Sequence, residues 1–498
     1  MAEAYQSETL ERPARGQPAR ASRSERVVSL ARGDGVGPEI TEATLRILEA
    51  AAVPVQFEPV SMGLECWNQG LTSGLPEASW TAVRESGVLL KGPMTTPQGS
   101  GMKSLNVTLR KSFGLYANVR PVRAYVPYVA SHYPNTDIVI IRENEEDLYA
   151  GIEHRQSQDV VQCLKLVSRP GCERIIRYAF EYAESRKRKR LTCMTKDNIM
   201  KLTDGLFHEV FDEVAAEYPG IESDHMIVDI GMAKVAADPE SFDVIVTPNL
   251  YGDIVSDIAA EVTGSVGLAP SANIGERISV FEAIHGSAPD IAGQNFANPS
   301  GLLLSAVKML AHLGLGGEAE CVHNAWLKTI EDGVHTPDIF NSKVSRINVG
   351  TDGFADAVIK RLGEEPRNLA RVHYPRRLLQ TTPQTSNQDS VKELVGVDIF
   401  VQSRDPVKEL AERVKAAGWN HILELKMISN RGVQVWPKGV PETFCTDHWR
   451  CRFIAREGVQ LRNQNIFKLA IALDVFNVDV IKTEHLYNFS GKPGFSMG

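Results

Sequence analysis

The sequence has neither a long apolar segment nor paired cysteines. None of its apolar runs reaches the ~18–20 residues that a membrane-spanning helix needs, and the N-terminus has no apolar core of the signal-peptide type. The seven cysteines are scattered and include no Cys-x-x-Cys pair, which argues against a disulfide framework and against a zinc site. We therefore expect no membrane association and a reducing compartment, either the cytoplasm or, alternatively, a mitochondrial matrix.

The chain also lacks an excess of positive charge. Its 54 lysines and arginines stand against 62 aspartates and glutamates, which gives a net charge of −8. The bulk electrostatics therefore provide no attraction to nucleic acid or to an anionic membrane, although they leave room for a local basic site. Residues 1–26 mix arginines with glutamates, whereas a transit peptide is poor in acids, so this segment is predicted to be a disordered tail.

From residue 27 onward, short apolar strands alternate with amphipathic helices. A strand over 27–31, a glycine turn and a helix over 38–52 form the first unit, and similar strands recur as far as 244–247. Short, continuously apolar strands between helices indicate an α/β fold whose sheet is covered on both faces. Residues 364–390 contain prolines and a Gln/Thr/Ser run and are predicted to be a linker.

Residues 391–498 form a separate predicted domain. Its predicted elements are a strand (395–401), a helix (406–417), strands near 423–436 and 449–455, a helix (463–476) and a strand (478–481). This βαββαβ order is the ferredoxin-like pattern. We therefore expect a small α+β domain after the linker.

Two carboxylates follow the apolar strand 244–247. Asp253 and Asp257 are four residues apart, so a helix places them on one face, where they could share a hard cation such as Mg²⁺ or Mn²⁺. The alternative is that they only cap the helix and complement its dipole.

A loop rich in small residues lies further along the chain, at 281–293. Small residues let backbone N–H groups approach a pyrophosphate, and Asp290 could accept the hydroxyls of a ribose while repelling a 2′-phosphate. No Gly-x-Gly-x-x-Gly follows the first strand, so the prediction is a dinucleotide site of non-Rossmann type. The alternative is an ordinary loop.

Three arginines suit an anionic substrate. Arg110 lies four residues after Asn106 on one face of a predicted helix that starts near Ser104, and Arg120 and Arg142 fall in or beside extended segments. Because a guanidinium binds a carboxylate through two parallel hydrogen bonds, arginines beside an acidic pair favour a polycarboxylate substrate. Taken separately, each arginine also fits a surface salt bridge.

Together, these segments resemble the β-decarboxylating dehydrogenases, the isocitrate/isopropylmalate dehydrogenase family. The resemblance spans about 27–363 in the family's order, and the C-terminal domain is similar to the appendage of the longer bacterial members. The matching segments are 33–39, 95–97, 104–111, 116–121, 142–144, 147–153, 196–201, 252–257 and 285–292.

The resemblance implies a large cofactor-binding domain (27–115 and 264–363) and a small domain (116–263) with a dimer clasp near 151–170. It also implies oxidative decarboxylation of isocitrate to 2-oxoglutarate by a homodimer, in which the partner's Lys196 and the partner's Asp229 complete each active site. The implied site consists of Tyr149 and Lys196 as the acid–base pair; Ser104, Asn106, Arg110, Arg120 and Arg142 as substrate contacts; Asp229, Asp253 and Asp257 as ligands of Mg²⁺ or Mn²⁺; and Thr95, Glu282, His285, Gly286, Ser287, Ala288, Asp290, Ile291 and Asn298 as cofactor contacts.

The cofactor and the substrate each have an alternative. NADP-using relatives typically place Lys and Tyr where this chain has Asp290 and Ile291, so we predict NAD, with NADP as the alternative. Ser104 and Asn106 are polar, which argues against the apolar arm of isopropylmalate. Homoisocitrate stays open, because one methylene changes binding by only ~1–3 kcal/mol. A non-catalytic regulatory subunit is the alternative from another functional class.

Overall fold

The computed structural model describes residues 26–71, 73–96, 104–374, 390–417 and 421–497. Most of the predicted tail and residues 375–389 of the predicted linker lie outside these ranges. The strands before the linker are β1 (Arg26–Ala31), β2 (Val55–Pro59), β3 (Val88–Lys91), β4 (Ala117–Arg123), β5 (Asp137–Glu143), β6 (Glu153–Arg155), β7 (Val161–Cys163), β8 (Arg190–Thr195), β9 (Glu222–Ile227), β10 (Val244–Thr247), β11 (Pro270–Ile274), β12 (Ser279–Ala283), β13 (Val334–His335) and β14 (Ile347–Asn348). The helices are α1 (Gly37–Ala50), α2 (Leu64–Asn68), α3 (Glu77–Ser86), α4 (Leu105–Ser112), α5 (Arg169–Ser185), α6 (Thr203–Ala215), α7 (Val228–Ala237), α8 (Asn249–Val262), α9 (Ser300–His312), α10 (Gly316–Glu331) and α11 (Thr351–Ile359).

Ten of these strands form one sheet, in the order β2-β1-β3-β12-β11-β4-β5-β10-β8-β9. Both flanks of the sheet are parallel, whereas β11 and β4 run antiparallel to their neighbours at its centre. Strands β3 and β10 are buried along their whole length, as expected when helices cover both faces. The predicted α/β class is confirmed.

The two faces of this sheet contact different helices. Alternate side chains of a strand point to opposite faces, and on β4 Val119 packs in the cluster around α5 and α6 while Val122 packs in the cluster around α8. A third and larger cluster surrounds α1, α9 and α10. Because β11 pairs with β4, the sheet is continuous from the predicted large domain to the predicted small domain. The boundaries between these two domains stay a prediction.

The segment predicted to be a dimer clasp contains a two-stranded antiparallel hairpin, β6 and β7. Its turn contacts the domain beyond the linker: Ser157 Oγ donates to Asp447 Oδ1 at 2.5 Å, and Arg404 donates to Gln158 at 3.0 Å. The role of this hairpin in dimer formation stays a prediction.

The elements beyond the linker are β15 (Lys392–Gln402), α12 (Val407–Ala416), β16 (Leu423–Asn430), β17 (Val433–Trp436), β18 (His448–Ala455), α13 (Asn463–Val475), β19 (Asp479–Phe489) and β20 (Lys492–Pro493). The four main strands are antiparallel in the order β16-β18-β15-β19, with α12 and α13 packed on one face, which is the ferredoxin-like arrangement. One predicted strand is wrong. Residues 423–436 form a hairpin, because Arg431 and Gly432 adopt left-handed backbone angles (φ +51° and +80°) and turn the chain.

Among the described residues, none of the helices has the length and apolar character needed to cross a membrane.

Candidate active site

The first turns of α8 carry the acidic pair. Pro248 precedes the helix, and the four-residue spacing places Asp253 and Asp257 on one face, as predicted. Both carboxylate oxygens of Asp253 accept hydrogen bonds. Oδ1 accepts from Arg120 (3.0 Å) and from Arg142, and Oδ2 accepts from the Tyr149 hydroxyl at 2.5 Å. The structure therefore joins residues from β4, β5, the turn after β5 and α8 around one carboxylate.

The two arginines at this carboxylate are buried and held from several sides. Arg120 is 4% exposed and donates to Asn118 at 2.5 Å and to Ser256 at 2.7 Å. Arg142 is 1% exposed and donates to Asn249 from two nitrogens, at 3.0 and 2.8 Å. Burial, followed by repulsion from Arg120 and Arg110, lowers the pKa of Arg142 to about 9. Positive charge is therefore in excess at this point, which favours an anionic ligand.

The pKa values of the two carboxylates are shifted in opposite directions. Burial acts to raise the pKa of Asp253, but Arg142 and Arg120 outweigh it and hold this pKa below its usual value. Burial raises the pKa of Asp257, and repulsion from Asp253 raises it further. Arg120 acts in the opposite direction but does not outweigh these two effects. A divalent cation between the two would relieve that repulsion.

Helix α4 contributes the third arginine and the polar residues near it. Arg110 is buried and lies 3.3 Å from Glu282. Among the described residues, Asn106 Oδ1 and Arg110 Nε are buried without a hydrogen-bond partner. Ser104 is half-buried at the N-terminal end of the helix. Unsatisfied buried polar atoms are costly, so this helix face is arranged to bind a ligand.

Glu282 links this helix to the cofactor side of the sheet. It is buried, forms an ion pair with Lys91 as well as with Arg110, and accepts from Asn273 at 2.9 Å. Burial is outweighed by Lys91 and Arg110, which lower its pKa to about 2. Glu282, predicted to contact the cofactor, is thus paired with two cationic side chains of the protein, Lys91 and Arg110.

The predicted acid–base residues lie in two separate places. Tyr149 follows β5, and its ring lies under the Arg142 guanidinium at 4.8 Å. Burial raises its pKa. Lys196 donates instead to Asp229 at 2.5 Å, and the Asp229 side chain, on the first turn of α7, is 67% exposed. This exposed pair is distinct from the Asp253 cluster.

Three loops at the carboxyl ends of β1, β3 and β12 pack closely together. Asp34 accepts from the backbone N–H of Thr95 at 2.8 Å, and the Thr95 hydroxyl is 2.7 Å from that of Ser287. Gly35 has φ +59°, and a Cβ there would lie 1.9 Å from the Ser287 carbonyl oxygen. Only glycine fits at this contact, so the first turn and the small-residue loop form one surface.

The remaining predicted cofactor contacts follow Ser287 or flank it. Gly286, Ala288 and Asp290 are exposed, and Ile291 is half-buried on a short 3₁₀ turn. The Nε2 atom of His285 is buried with no hydrogen-bond partner within the described ranges. Asn298 is buried and donates to Asp338 at 3.0 Å. The loop therefore presents exposed residues around Ser287 and the unpaired Nε2 atom of His285, both of which a ligand could contact.

Several supporting residues were not predicted from the sequence. Lys91, Asn118, Asn249, Ser256 and Asp338 all contact predicted site residues. The partners of Lys91 and Asn249 are more than 100 residues away in the chain. No local pattern indicates such a pairing.

The chain belongs to the isocitrate/isopropylmalate dehydrogenase family. The model of that family matches residues 27–358, and a model described as the bacterial isocitrate dehydrogenase C-terminal domain matches residues 392–498.

Full-length relatives support this membership. A Rickettsia bellii protein named isocitrate dehydrogenase [NADP] is 51% identical over 474 residues, which cover 94% of this chain and 98% of that relative. A Thermus thermophilus protein of the same name is 42% identical and covers 95% of each chain. A solved structure of a Thermus thermophilus protein has a TM-score of 0.90 at 42% identity, over 94% of this chain and 95% of that one.

The prediction of NAD as cofactor is wrong. The two relatives above, matched over nearly their whole length, are both named for NADP. The prediction depended on charge repulsion by Asp290, which is exposed on the 3₁₀ turn. Water and salt screen the charge of an exposed carboxylate, so this single residue does not exclude a 2′-phosphate.

Proposed function

We propose that this protein catalyses the oxidative decarboxylation of isocitrate to 2-oxoglutarate and CO₂ with NADP as the hydride acceptor. The observation that carries the proposal is the convergence of Arg120 and Arg142 on Asp253 and Tyr149, with Arg110 close by. The names of the full-length relatives support the substrate and the cofactor.

The arginines supply the substrate site. Arg110, Arg120, Arg142 and Lys91 outnumber the carboxylates of Asp253, Asp257 and Glu282, which leaves net positive charge that the carboxylates of isocitrate would balance. Asn106 and Ser104 add polar contacts on α4, and the unpaired Asn106 oxygen can accept from the substrate hydroxyl or a bound water. A site held by buried side chains keeps the substrate in one orientation.

The acidic residues fit a hard divalent cation. Asp253 and Asp257 present only oxygen donors, and burial together with repulsion from Asp253 raises the pKa of Asp257. With the partner's Asp229 they would hold Mg²⁺ or Mn²⁺. When bound, such a cation polarises the substrate oxygens and stabilises the enolate that forms as CO₂ leaves.

Tyr149 and Lys196 would be the proton-transfer groups. The Tyr149 hydroxyl lies at the centre of the arginine cluster, where it can deliver a proton to the carbon that loses CO₂. Lys196 of a second protomer, once it has lost its own proton to water, would accept the proton of the substrate hydroxyl as a neutral amine.

The cofactor would lie along the three packed loops. The hydroxyls of Thr95 and Ser287 are in contact, and Asn298 donates to Asp338, whose charge acts on His285. Backbone N–H groups of the small-residue loop suit the pyrophosphate. Asp290 stays in water beside it.

Assembly as a homodimer is part of the proposal. Apolar side chains near the Lys196–Asp229 pair are exposed in one protomer: Ile199 by 69%, Leu202 by 51% and Ile230 by 50%. Exposed apolar groups around a polar pair are typical of a surface that a second copy covers. The match to a bacterial C-terminal domain supports a cytoplasmic enzyme.

Initial rates of nicotinamide reduction test this function. Purified protein with Mg²⁺ is assayed with isocitrate against homoisocitrate, and with NADP against NAD. We expect the highest kcat/KM with isocitrate and NADP. A higher kcat/KM with NAD or with homoisocitrate would contradict the proposal, and absence of turnover with all four pairs would indicate a regulatory subunit.

A further inference from the structure

Two histidines and an aspartate lie together at the β9 edge of the large sheet. Asp197 follows β8, His208 lies on α6 and His225 lies on β9. One ligand atom from each of these three side chains lies within 4.8 Å of the other two. The fold thus brings together, from three separate elements, residue types that commonly bind transition metals.

This group is separate from the carboxylates of the candidate active site. His225 pairs in register with Cys193 on β8, and side chains paired in this way point to the same face of a sheet. Cys193 packs in the cluster around α5 and α6, whereas the next residue, Met194, packs in the cluster around α8. The two histidines therefore lie on the opposite face of the sheet from α8 and its acidic pair.

Polar contacts hold the three side chains in place. Asp197 Oδ2 is 2.7 Å from His208 Nδ1, and Asp197 Oδ1 is 3.9 Å from His225 Nε2. The His225 Nε2 atom also contacts the Thr195 hydroxyl at 2.8 Å. The second ring nitrogen of His208, Nε2, lies 3.7 Å from the carboxylate of Asp212. Histidines that bind a metal commonly have a carboxylate at their other ring nitrogen, and His208 has this arrangement.

The protonation states of the group suit a metal ion. Burial acts to raise the pKa of Asp197, but the hydrogen bond from His208 and the charge of His225 outweigh it and lower this pKa. Burial and repulsion from His208 lower the pKa of His225, against the attraction of Asp197. At pH 7 the carboxylate is therefore ionised and the His225 imidazole is neutral, which are the forms that bind a metal.

The two imidazoles are stacked, with ring centres 3.6 Å apart and planes inclined by 16°. A metal ion lies in the plane of each imidazole that binds it, so one of these nearly parallel rings must turn for both to bind one ion. That turn is about the Cβ–Cγ bond, a torsion with a broad energy minimum in histidine. The His208 side chain is 26% exposed on α6, so solvent rather than packed protein borders the ring that turns.

We propose that Asp197, His208 and His225 bind a transition-metal ion of the Zn²⁺ class. Two imidazoles and one carboxylate are typical ligands of Zn²⁺, whereas Mg²⁺ prefers oxygen ligands. The scattered cysteines argue against a cysteine-ligated zinc site, and none of these three ligands is a cysteine.

Binding displaces the proton between Asp197 and His208, which passes to the solvent. The bound ion connects the turn that follows Lys196 to α6 and β9, so it stabilises this edge of the fold. The inference does not depend on the proposed function.

Calorimetric titration of the chelator-treated full-length protein with Zn²⁺ tests this site. Excess Mg²⁺ is present throughout, so that it competes for the oxygen ligands of the candidate active site. We expect one Zn²⁺ per chain to bind through the three residues and to raise the melting temperature. This binding should weaken by about tenfold or more in His208→Gln and in His225→Gln, because loss of only a supporting partner of a metal ligand already costs about 10–100-fold in affinity. Binding to cysteines or to other acids would remain in both variants as a separate component.

His373→Gln is the matched control, since it removes an imidazole that is 64% exposed and 3.6 Å from the carboxylate of Glu320, beside α10. His208 lies on the surface of a helix, so its substitution keeps the test valid if His225→Gln fails to fold. The site is disproved if Zn²⁺ does not bind, if both variants bind Zn²⁺ and melt as the parent does, or if His373→Gln weakens binding equally.

Discussion

Individual side chains at the active site owe their properties to burial as much as to their chemical type. Arg142 is 1% exposed, so its charge depends on Asp253 and Asn249 for compensation. Asp290, by contrast, is exposed and hydrated. Residue type alone predicted a strong electrostatic effect for both, and only the buried residue has the surroundings that produce one.

Asp290→Asn tests the claim that this carboxylate is screened. Exposed charge pairs contribute about 0.2–1 kcal/mol, so we expect the KM for NADP to change by less than about fivefold. Initial rates at saturating isocitrate measure it. Asp474→Asn removes the same charge from an exposed position on α13 and is the control. A decrease in KM of about tenfold or more, confined to Asp290→Asn, would show that Asp290 does repel the 2′-phosphate.

Sequence motifs indicated the candidate site residues that the structure brings together, but not the residues that hold them in place. Arg120, Arg142, Tyr149 and Asp253 do come together, from β4, β5, the turn after β5 and α8. The amide of Asn249 that holds Arg142 is 107 positions away along the chain. Such a contact depends on strand order and register, which local patterns do not encode.

At the scale of elements, Glu282 joins three parts of the fold. It extends from β12 to Lys91 on β3 and to Arg110 on α4. All three side chains are nearly or fully buried, with exposed fractions of 7%, 1% and 10%. Removing one partner of a buried ion pair is strongly destabilising, because it leaves the other charge uncompensated.

Glu282→Gln should therefore lower the free energy of unfolding by about 3–5 kcal/mol at pH 7, as measured by urea denaturation. The folded-state pKa of Glu282, about 2, lies below its ordinary value of 4.5. The stabilisation is thus complete above pH 4.5 and is lost as the pH falls towards 2. The difference between parent and variant should shrink over that same range.

The control for this variant is Glu276→Gln, which removes a carboxylate that is 55% exposed and 3.5 Å from Arg174. We expect a change of less than about 1 kcal/mol there. Equal stability of Glu282→Gln and the parent at pH 7 would show that the buried pairs contribute nothing.

Most elements could be predicted from apolar periodicity, and the misses have physical causes. Apolar residues mark only the end of β9, because its first four residues are polar and the strand lies, exposed or partly buried, at the edge of the sheet. The hairpin of β16 and β17 was read as one strand, since its two-residue turn uses Arg431, a residue that seldom takes left-handed angles.

At the scale of the whole molecule, the residues proposed for the active site lie in two separate groups within one copy. The arginines, Tyr149 and the α8 carboxylates form one cluster, while Lys196 and Asp229 form another, exposed pair beside apolar side chains. A two-fold symmetric dimer would place each exposed pair against the cluster of the other protomer, giving two equivalent sites. The active site is then a property of the dimer.

Complementation between inactive variants tests this claim most directly. Tyr149→Phe and Lys196→Met are co-expressed with different affinity tags, and the mixed dimer is purified and assayed with isocitrate, NADP and Mg²⁺. If sites are shared, one of the two sites carries both substitutions and the other carries none, so we predict about half of the wild-type kcat. In the control pair, Tyr149→Phe with Arg110→Gln, every site carries one substitution and no activity returns. Mixed dimers of the first pair that are as inactive as the control would contradict the shared site.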